Sequence, residues 1–258
     1  DPVSSFDPIM LVAHSQEVLQ VANSTPFTSV NELIAYAKAN PGKLNYGSVG
    51  VGSTSHLATV LFSDVTGIRM QHVPYSQMSQ GVSDLISGRT EVWFGPMGSS
   101  LPNIRSGKVR ALAVTGPVRA KLLPEIPTMT ELGIKMGEES SWYGFFAPKG
   151  TPKAIIDRVN RDLAKVLELP DMRERETQLG YRFVGGPPER LAAHLKAEIA
   201  RWAQVARSPA FSGKIDASSA HAHCGGRGAG CRPPRTVTQA RVHEGTRSWD
   251  DRSMPHPA

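Results

Sequence analysis

Apolar positions along the chain fall into short runs that alternate with longer stretches at helical spacing. Ile9–Ala13, Val18–Ala22, Leu44–Gly47, Met70–Val73, Glu91–Phe94 and Arg110–Thr115 are short runs and read as strands. Between them lie helical patterns. Thr28 or Ser29 caps the first, and Glu32, three residues after Ser29, completes a capping box. Leu33, Ile34 and Ala37 follow at helical spacing until Asn40-Pro41-Gly42 ends the run. His56–Thr66 is a second helix with Leu57, Val60, Leu61 and Val65 on one side, and Met78–Ser87 a third, stopped by Gly88. Leu101–Ser106 and Thr128–Leu132 read as short helices and Glu139–Ala147 as a strand. Pro152–Leu167 carries Ile155, Ile156, Val159, Leu163 and Val166 at three- and four-residue steps. A helix over Asp171–Leu179, a strand over Tyr181–Val184 and a long helix over Pro188–Ala206, with Leu191, Leu195, Ile199 and Trp202, complete the pattern. Strand–helix alternation with short connections predicts an α/β fold with mainly parallel sheets flanked by helices. Such sheets bind ligands at the carboxyl ends of their strands, where loops meet helix N-termini.

One such loop stands out. Asn45–Leu57 reads as a strand, a Gly/Ser loop and a helix start. Glycines let several N–H groups turn into one hollow, hydroxyls add donors, and the helix N-terminus adds partial positive charge. The composition suits a carboxylate or a phosphate; an ordinary glycine turn with a serine cap accounts for it equally. Sharper motifs fail. Gly47-x-x-x-x-Gly52 has Walker spacing, but Ser53 stands where the phosphate-binding lysine belongs. Gly50-x-Gly52 has no third glycine at Ser55, so the dinucleotide fingerprint is broken. No G-x-S-x-G elbow occurs. His56 beside Ser55 is a poor catalytic partner, because sequence neighbours rarely align as nucleophile and base, and it reads as a structural residue of the first turn.

Composition changes the picture near residue 213. The 258 residues carry a net charge of +6. Residues 213–258 hold seven Lys/Arg against four Asp/Glu, four of the eight histidines and both cysteines. Large apolar residues are scarce there and no period is visible, so this segment is expected to be disordered. Its disorderly Arg/Gly/Pro/His/Ala mixture is what a shifted reading frame of GC-rich DNA yields. His221, His223, Cys224 and Cys231 form one compact cluster rather than the paired spacing of a zinc site, so no metal is expected. The remaining body carries only +3 and no basic stripe with interleaved aromatics, so no nucleic-acid partner is expected. No apolar run reaches the 18 residues of a membrane span. The opening residues, Asp1–Met10, lack the basic start and apolar run of an export signal.

Lys43–Ser48, Gly50–Ala58 and His72-Val73-Pro74-Tyr75 strongly resemble the solute-binding receptors of tripartite tricarboxylate transporters, the Bug family. Gly107–Thr115, Leu123–Thr128, Ser141-Trp142-Tyr143-Gly144, Ala147-Pro148, Gly150-Thr151-Pro152 and Glu198–Trp202 match too, in order, from about Asp1 to Val205. The resemblance implies a two-lobe fold of the type II periplasmic-binding-protein kind, one lobe from residues 1–21 and 139–212 and the other from 22–138. It implies a periplasmic receptor, not an enzyme, that captures a small organic acid for membrane permease subunits, as a monomer and without a cofactor. Ser48, Gly50, Gly52, Ser53, Thr54 and Ser55 are then the expected ligand-binding loop, with Tyr75 beside it; core packing is the other reading of Tyr75. Family members also carry an export signal, a first strand and a glycine-rich loop with no counterpart here. The first lobe is therefore expected to be incomplete, exposing Ile155, Val159, Leu163, Leu195 and Ile199. Gly95 stands where the family usually has an acidic residue. An α/β enzyme using the Ser/His loop and a truncated, non-functional gene product remain open alternatives.

Overall fold

A computed structural model describes residues 2–137, 141–208 and 211. The expectations for residues 213–258, including the His/Cys cluster, lie outside the described residues. Two strands, β1 (Phe6–Ser15) and β2 (Glu17–Ala22), are separated by Gln16 alone and belong to different sheets. β1 lies between β7 (Ser141–Pro148) and β8 (Tyr181–Phe183) and runs antiparallel to both. β2 enters a second sheet of order β4-β3-β5-β2-β6, whose other members are β3 (Asn45–Ser48), β4 (Gln71–Pro74), β5 (Val92–Pro96) and β6 (Val109–Val114). Gln16 fastens the crossing point: its Nε2 donates to the carbonyls of Thr115 (2.8 Å) and Val118 (2.6 Å).

The fold is α/β, but rather than being mainly parallel the smaller sheet is antiparallel and the larger one mixed. β3 is parallel to β4 and β5, whereas β2 is antiparallel to β5 and β6. Parallel pairing appears where α2 (Thr54–Thr66) and α3 (Met78–Ser87) supply crossovers. β2 arrives directly from the neighbouring sheet, so its direction follows β1.

The larger sheet is covered on both faces. Val92 and Phe94 of β5 pack with Phe27, Leu33 of α1 (Val30–Ala39) and Phe62 of α2, while Trp93 points the other way, toward Tyr75, Leu85 and Val109. All three β5 residues are fully buried, as a strand between two helical layers requires. α4 (Met97–Arg105) closes one end, packing Met97 and Leu101 on Val18 and Val114. In the smaller sheet, Ile9, Met10 and Ala147 pack with residues of α5 (Lys153–Glu168) and α6 (Pro170–Leu179), Leu163, Leu167 and Met172 among them. α7 (Pro188–Val205) buries Leu191 completely over Gly144, where an added Cβ would come within 2.8 Å of the leucine. Ile155, Val159 and Ile199 are exposed, while Leu163 and Leu195 are half-buried. No helix among the described residues is long and apolar enough to cross a membrane.

The capping box at α1 is present: Ser29 Oγ accepts from Glu32 N at 3.2 Å, and the Glu32 carboxylate accepts from the backbone N–H groups of Thr28 (2.6 Å) and Ser29 (3.2 Å). Ser29→Ala should cost about 1 kcal/mol in urea unfolding with an unchanged m-value.

Two local expectations fail. Of the expected face of α2, Val60 is buried, Leu57 and Leu61 are half-buried and Val65 is exposed, while the helix also buries Ser55, His56, Ala58, Thr59, Phe62 and Ser63. The hydroxyls of Thr59 and Ser63 donate to the carbonyls four residues back, both at 2.8 Å. Polar side chains satisfied by their own helix can face the interior, so the buried stripe is not purely apolar. Thr128–Leu132 is a turn, not a helix. Met129 N donates to Val114 O and Val114 N to Pro127 O, both at 2.9 Å, and Thr128 bridges Val114 in parallel. β6 thereby captures the backbone that the helix would have used.

Candidate functional site

The loop after β3 is folded by its own hydroxyls. Gly50 (φ +113°) and Gly52 (φ +81°) adopt backbone conformations that side chains rarely tolerate, and these let the chain double back within a few residues. Ser53 caps α2: its Oγ accepts from His56 N at 3.4 Å and donates to Gly50 O at 2.7 Å. Ser55 Oγ accepts from Val49 N at 3.3 Å and lies 3.2 Å from Ser53 Oγ. Ser48 is wholly buried; its Oγ accepts from Gly50 N at 3.1 Å and lies 2.6 Å from His72 Nε2. Gly52 N donates to His56 Nδ1 at 3.2 Å, so the neutral His56 ring carries its proton on Nε2.

The His56 and His72 rings are 4.3 Å apart, and Tyr46 stacks on His72 at 4.9 Å. Burial lowers the basicity of both; that of His72 falls to about 4, with His56 adding to the effect. These rings are neutral at ordinary pH and buttress the loop. The N–H groups of Thr54 and Ser55, in the first turn of α2, make no hydrogen bond to an acceptor among the described residues, as the start of a helix dictates.

That helix end opens on a cleft of about 200 Å³, lined by Gly52, Thr54 and Leu57 on one side and by Ser141, Trp142, Tyr143 and Trp202 on the other. Trp202 is held by its Nε1, which donates to Glu198 Oε2 at 2.8 Å. Ser141 Oγ donates to Glu17 Oε1 at 2.7 Å. Glu17 is completely buried at the start of β2, and burial raises its carboxyl to about 7, with the Ser141 bond opposing only in part. Tyr143 is pushed up to about 12, chiefly by burial, with Tyr181 and Glu17 adding to it. The cleft thus brings together hydroxyl groups, aromatic walls and a helix N-terminus, an arrangement suited to a small anion with an apolar middle.

The model of the tripartite tricarboxylate transporter family receptor matches residues 1–209. The chain belongs to this receptor family. It is 39% identical over 201 residues to a protein from the tcbD-tcbE intergenic region of Pseudomonas sp., covering 78% of this chain and 60% of that protein. The chain therefore spans about 60% of the length of that curated relative. Among solved structures, R. palustris Rpa4515 with adipate superposes with a TM-score of 0.73 at 37% identity, covering 80% of this chain and 69% of its own. The periplasmic binding protein BugD superposes with a TM-score of 0.72 at 33% identity, covering 80% and 70%. These relatives bear out the resemblance read from the sequence and a fold of the type II periplasmic-binding-protein kind.

Within this family member the expected site residues take different positions. Gly52 and Thr54 line the cleft. Ser48, Gly50, Ser53 and Ser55 lie in the hydrogen-bond lattice that shapes the loop. Tyr75 donates its backbone N–H to Ser48 O at 2.8 Å, but its ring is buried on Trp93 and its hydroxyl donates to Asp84 Oδ2 at 3.0 Å. The sequence reading did not place Ser141, Trp142, Tyr143, Trp202 or Glu17 at a site. The first three had a visible signal, two adjacent aromatics beside a small polar residue. Glu17 also left one: an acid abutting the apolar run Val18–Ala22.

Proposed function

We propose that this chain is the solute-binding component of a tripartite tricarboxylate-type transporter, capturing a small organic carboxylate outside the cytoplasm and presenting it to membrane permease subunits as a monomer without a cofactor. One observation carries the reading: the N-terminal turn of α2, through Gly52 and Thr54, and the hydroxyl-bearing Ser141 and Tyr143 line one cleft with Trp142 and Trp202. Adipate in the Rpa4515 structure supports a dicarboxylate, and the description of BugD as periplasmic supports the location. The two sheets, joined at Gln16, support two lobes, one from residues 1–21 and 139–212 and the other from 22–138, except that β2 of the first segment joins the second lobe's sheet.

In this reading Gly52 and Thr54 touch the ligand, while Ser48, Gly50, Ser53, Ser55 and Tyr75 hold the loop in shape. The alternative of a Ser/His enzyme finds less support. Ser48 pairs with His72, yet Ser48 is sealed from solvent and His72 is a weakened base. Calorimetry with adipate tests the proposal. Ser53→Ala combined with Thr54→Ala should weaken binding by roughly 1–3 kcal/mol, the cost of depriving a buried anion of donors. Unchanged affinity in the double variant refutes the assignment of this loop.

A further inference from the structure

We infer that Glu17 sets the hydrogen-bonding sense of the cleft, so that a carboxylate is captured together with one proton taken from solvent. The inference rests on the carboxylate reading above and adds a residue and a selectivity to it.

The argument starts from the inventory of one hydroxyl. Ser141 stands between Glu17 and the cleft: it lines the cavity, and its Oγ lies 2.7 Å from Glu17 Oε1. A serine has one proton to donate and two lone pairs. When Glu17 is ionised, Ser141 donates that proton inward and turns only lone pairs toward the cleft, which repel a carboxylate. When Glu17 is neutral, its own O–H donates to Ser141 Oγ, and the serine proton is released toward the ligand. The protonation state of one buried acid thereby decides whether the cleft floor is a donor or an acceptor.

The surroundings favour the neutral form whenever an anion is present. Glu17 Oε2 has no partner among the described residues, so the charge of an ionised Glu17 rests on a single hydrogen bond. The Glu17 backbone is already occupied, its N–H donating to Thr115 Oγ1 at 2.8 Å and its O accepting from Thr115 N at 2.9 Å. The groups facing Glu17 are Ser141 and Tyr143 from β7, Pro96 across from β5 and Thr115 after β6; Tyr181 of β8 stands behind Tyr143. His14 of β1 and His194 of α7 pack on each other, and His194 packs on Trp142. None of the groups facing Glu17 is a lysine or arginine, so a ligand anion one hydroxyl away raises its proton affinity further. Linkage then fixes the sign. Affinity is full below the pKa of the free protein, about 7, and falls as pH rises through it.

The experiment is calorimetric titration of the full chain with adipate from pH 6.5 to 8.5, in two buffers of different ionisation enthalpy. Wild-type affinity should fall about tenfold across that range, and the heat should depend on the buffer, reporting proton uptake on binding. Glu17→Gln, whose amide can donate to Ser141 without titrating, should bind with constant affinity and buffer-independent heat. Ser141→Ala removes the hydroxyl relay but leaves the charge coupling, so it should reduce the pH dependence without abolishing it, a change that a merely structural role of Glu17 does not require. The same pH dependence in wild type and Glu17→Gln, or buffer-independent heat in the wild type, overturns the inference while leaving the binding site standing. Absence of adipate binding at every pH, in all three proteins, overturns the carboxylate reading and this inference with it.

Discussion

Trp93→Ala is expected to lower unfolding free energy by about 3–5 kcal/mol, the range for removing a large buried aromatic and leaving its volume unfilled. Trp93 is fully buried in β5, on the face opposite Val92 and Phe94. Two glycines from different elements are shaped around it. A Cβ on Gly47, in β3, would run into the indole six-membered ring, and a Cβ on Gly81, in α3, would come within 2.5 Å of the same ring. The ring therefore sets the spacing of sheet and helix, and Tyr75 packs on it at 6.1 Å between centroids. Gly81→Ala alone should also destabilise, by about 1–3 kcal/mol of overpacking. Combined with Trp93→Ala it should do so by clearly less than the sum, because the methyl then enters vacated space. Urea unfolding at constant m-value is the measurement; strict additivity would show that the two residues are not coupled. The consequence reaches the site, since Gly47 directly precedes Ser48 and the α2 loop.

The second large effect is a stability that depends on pH through Glu17. Its carboxyl is raised from the ordinary glutamate value near 4.5 to about 7, mainly by burial. The folded state thus holds its proton over an interval in which the unfolded chain has lost it. Stability is unaffected below about 4.5, falls as pH rises through that interval, and carries the whole penalty above about 7. The gap corresponds to about 3 kcal/mol at 1.36 kcal/mol per pH unit. Glu17→Gln cannot ionise, so the wild-type-minus-variant difference in unfolding free energy should drop by roughly this amount between pH 4.5 and 7.5. Other titrating groups contribute to both proteins and cancel. Parallel curves for the two proteins would refute the burial of an ionisable acid at the sheet crossing.

What could be read from the sequence was local. The capping box at Ser29 and Glu32, the glycine stops and the three-to-four spacing of α5 each follow from contacts within a turn or two of the chain, and the elements appear within a few residues of where the pattern puts them. The glycine–serine loop was also legible, because positive φ angles and a serine cap are properties of neighbouring residues. The pairing directions of β2, the buried polar stripe of α2 and the turn at Thr128 were not. Each depends on a partner far along the chain: β5 and β6 taking β2 between them, the sheet behind Thr59 and Ser63, and Val114 of β6 binding the backbone of residues 127–129. The site divides the same way. Gly52 and Thr54 carried a local signature, whereas Ser141–Tyr143 and Trp202 became part of a cleft only when β7 and α7 were brought against α2. Glu17 shows the difference most plainly. In sequence it is one acid before an apolar run; its altered proton affinity exists only because the two sheets meet there and remove it from water, since desolvation belongs to the surrounding volume and not to the residue.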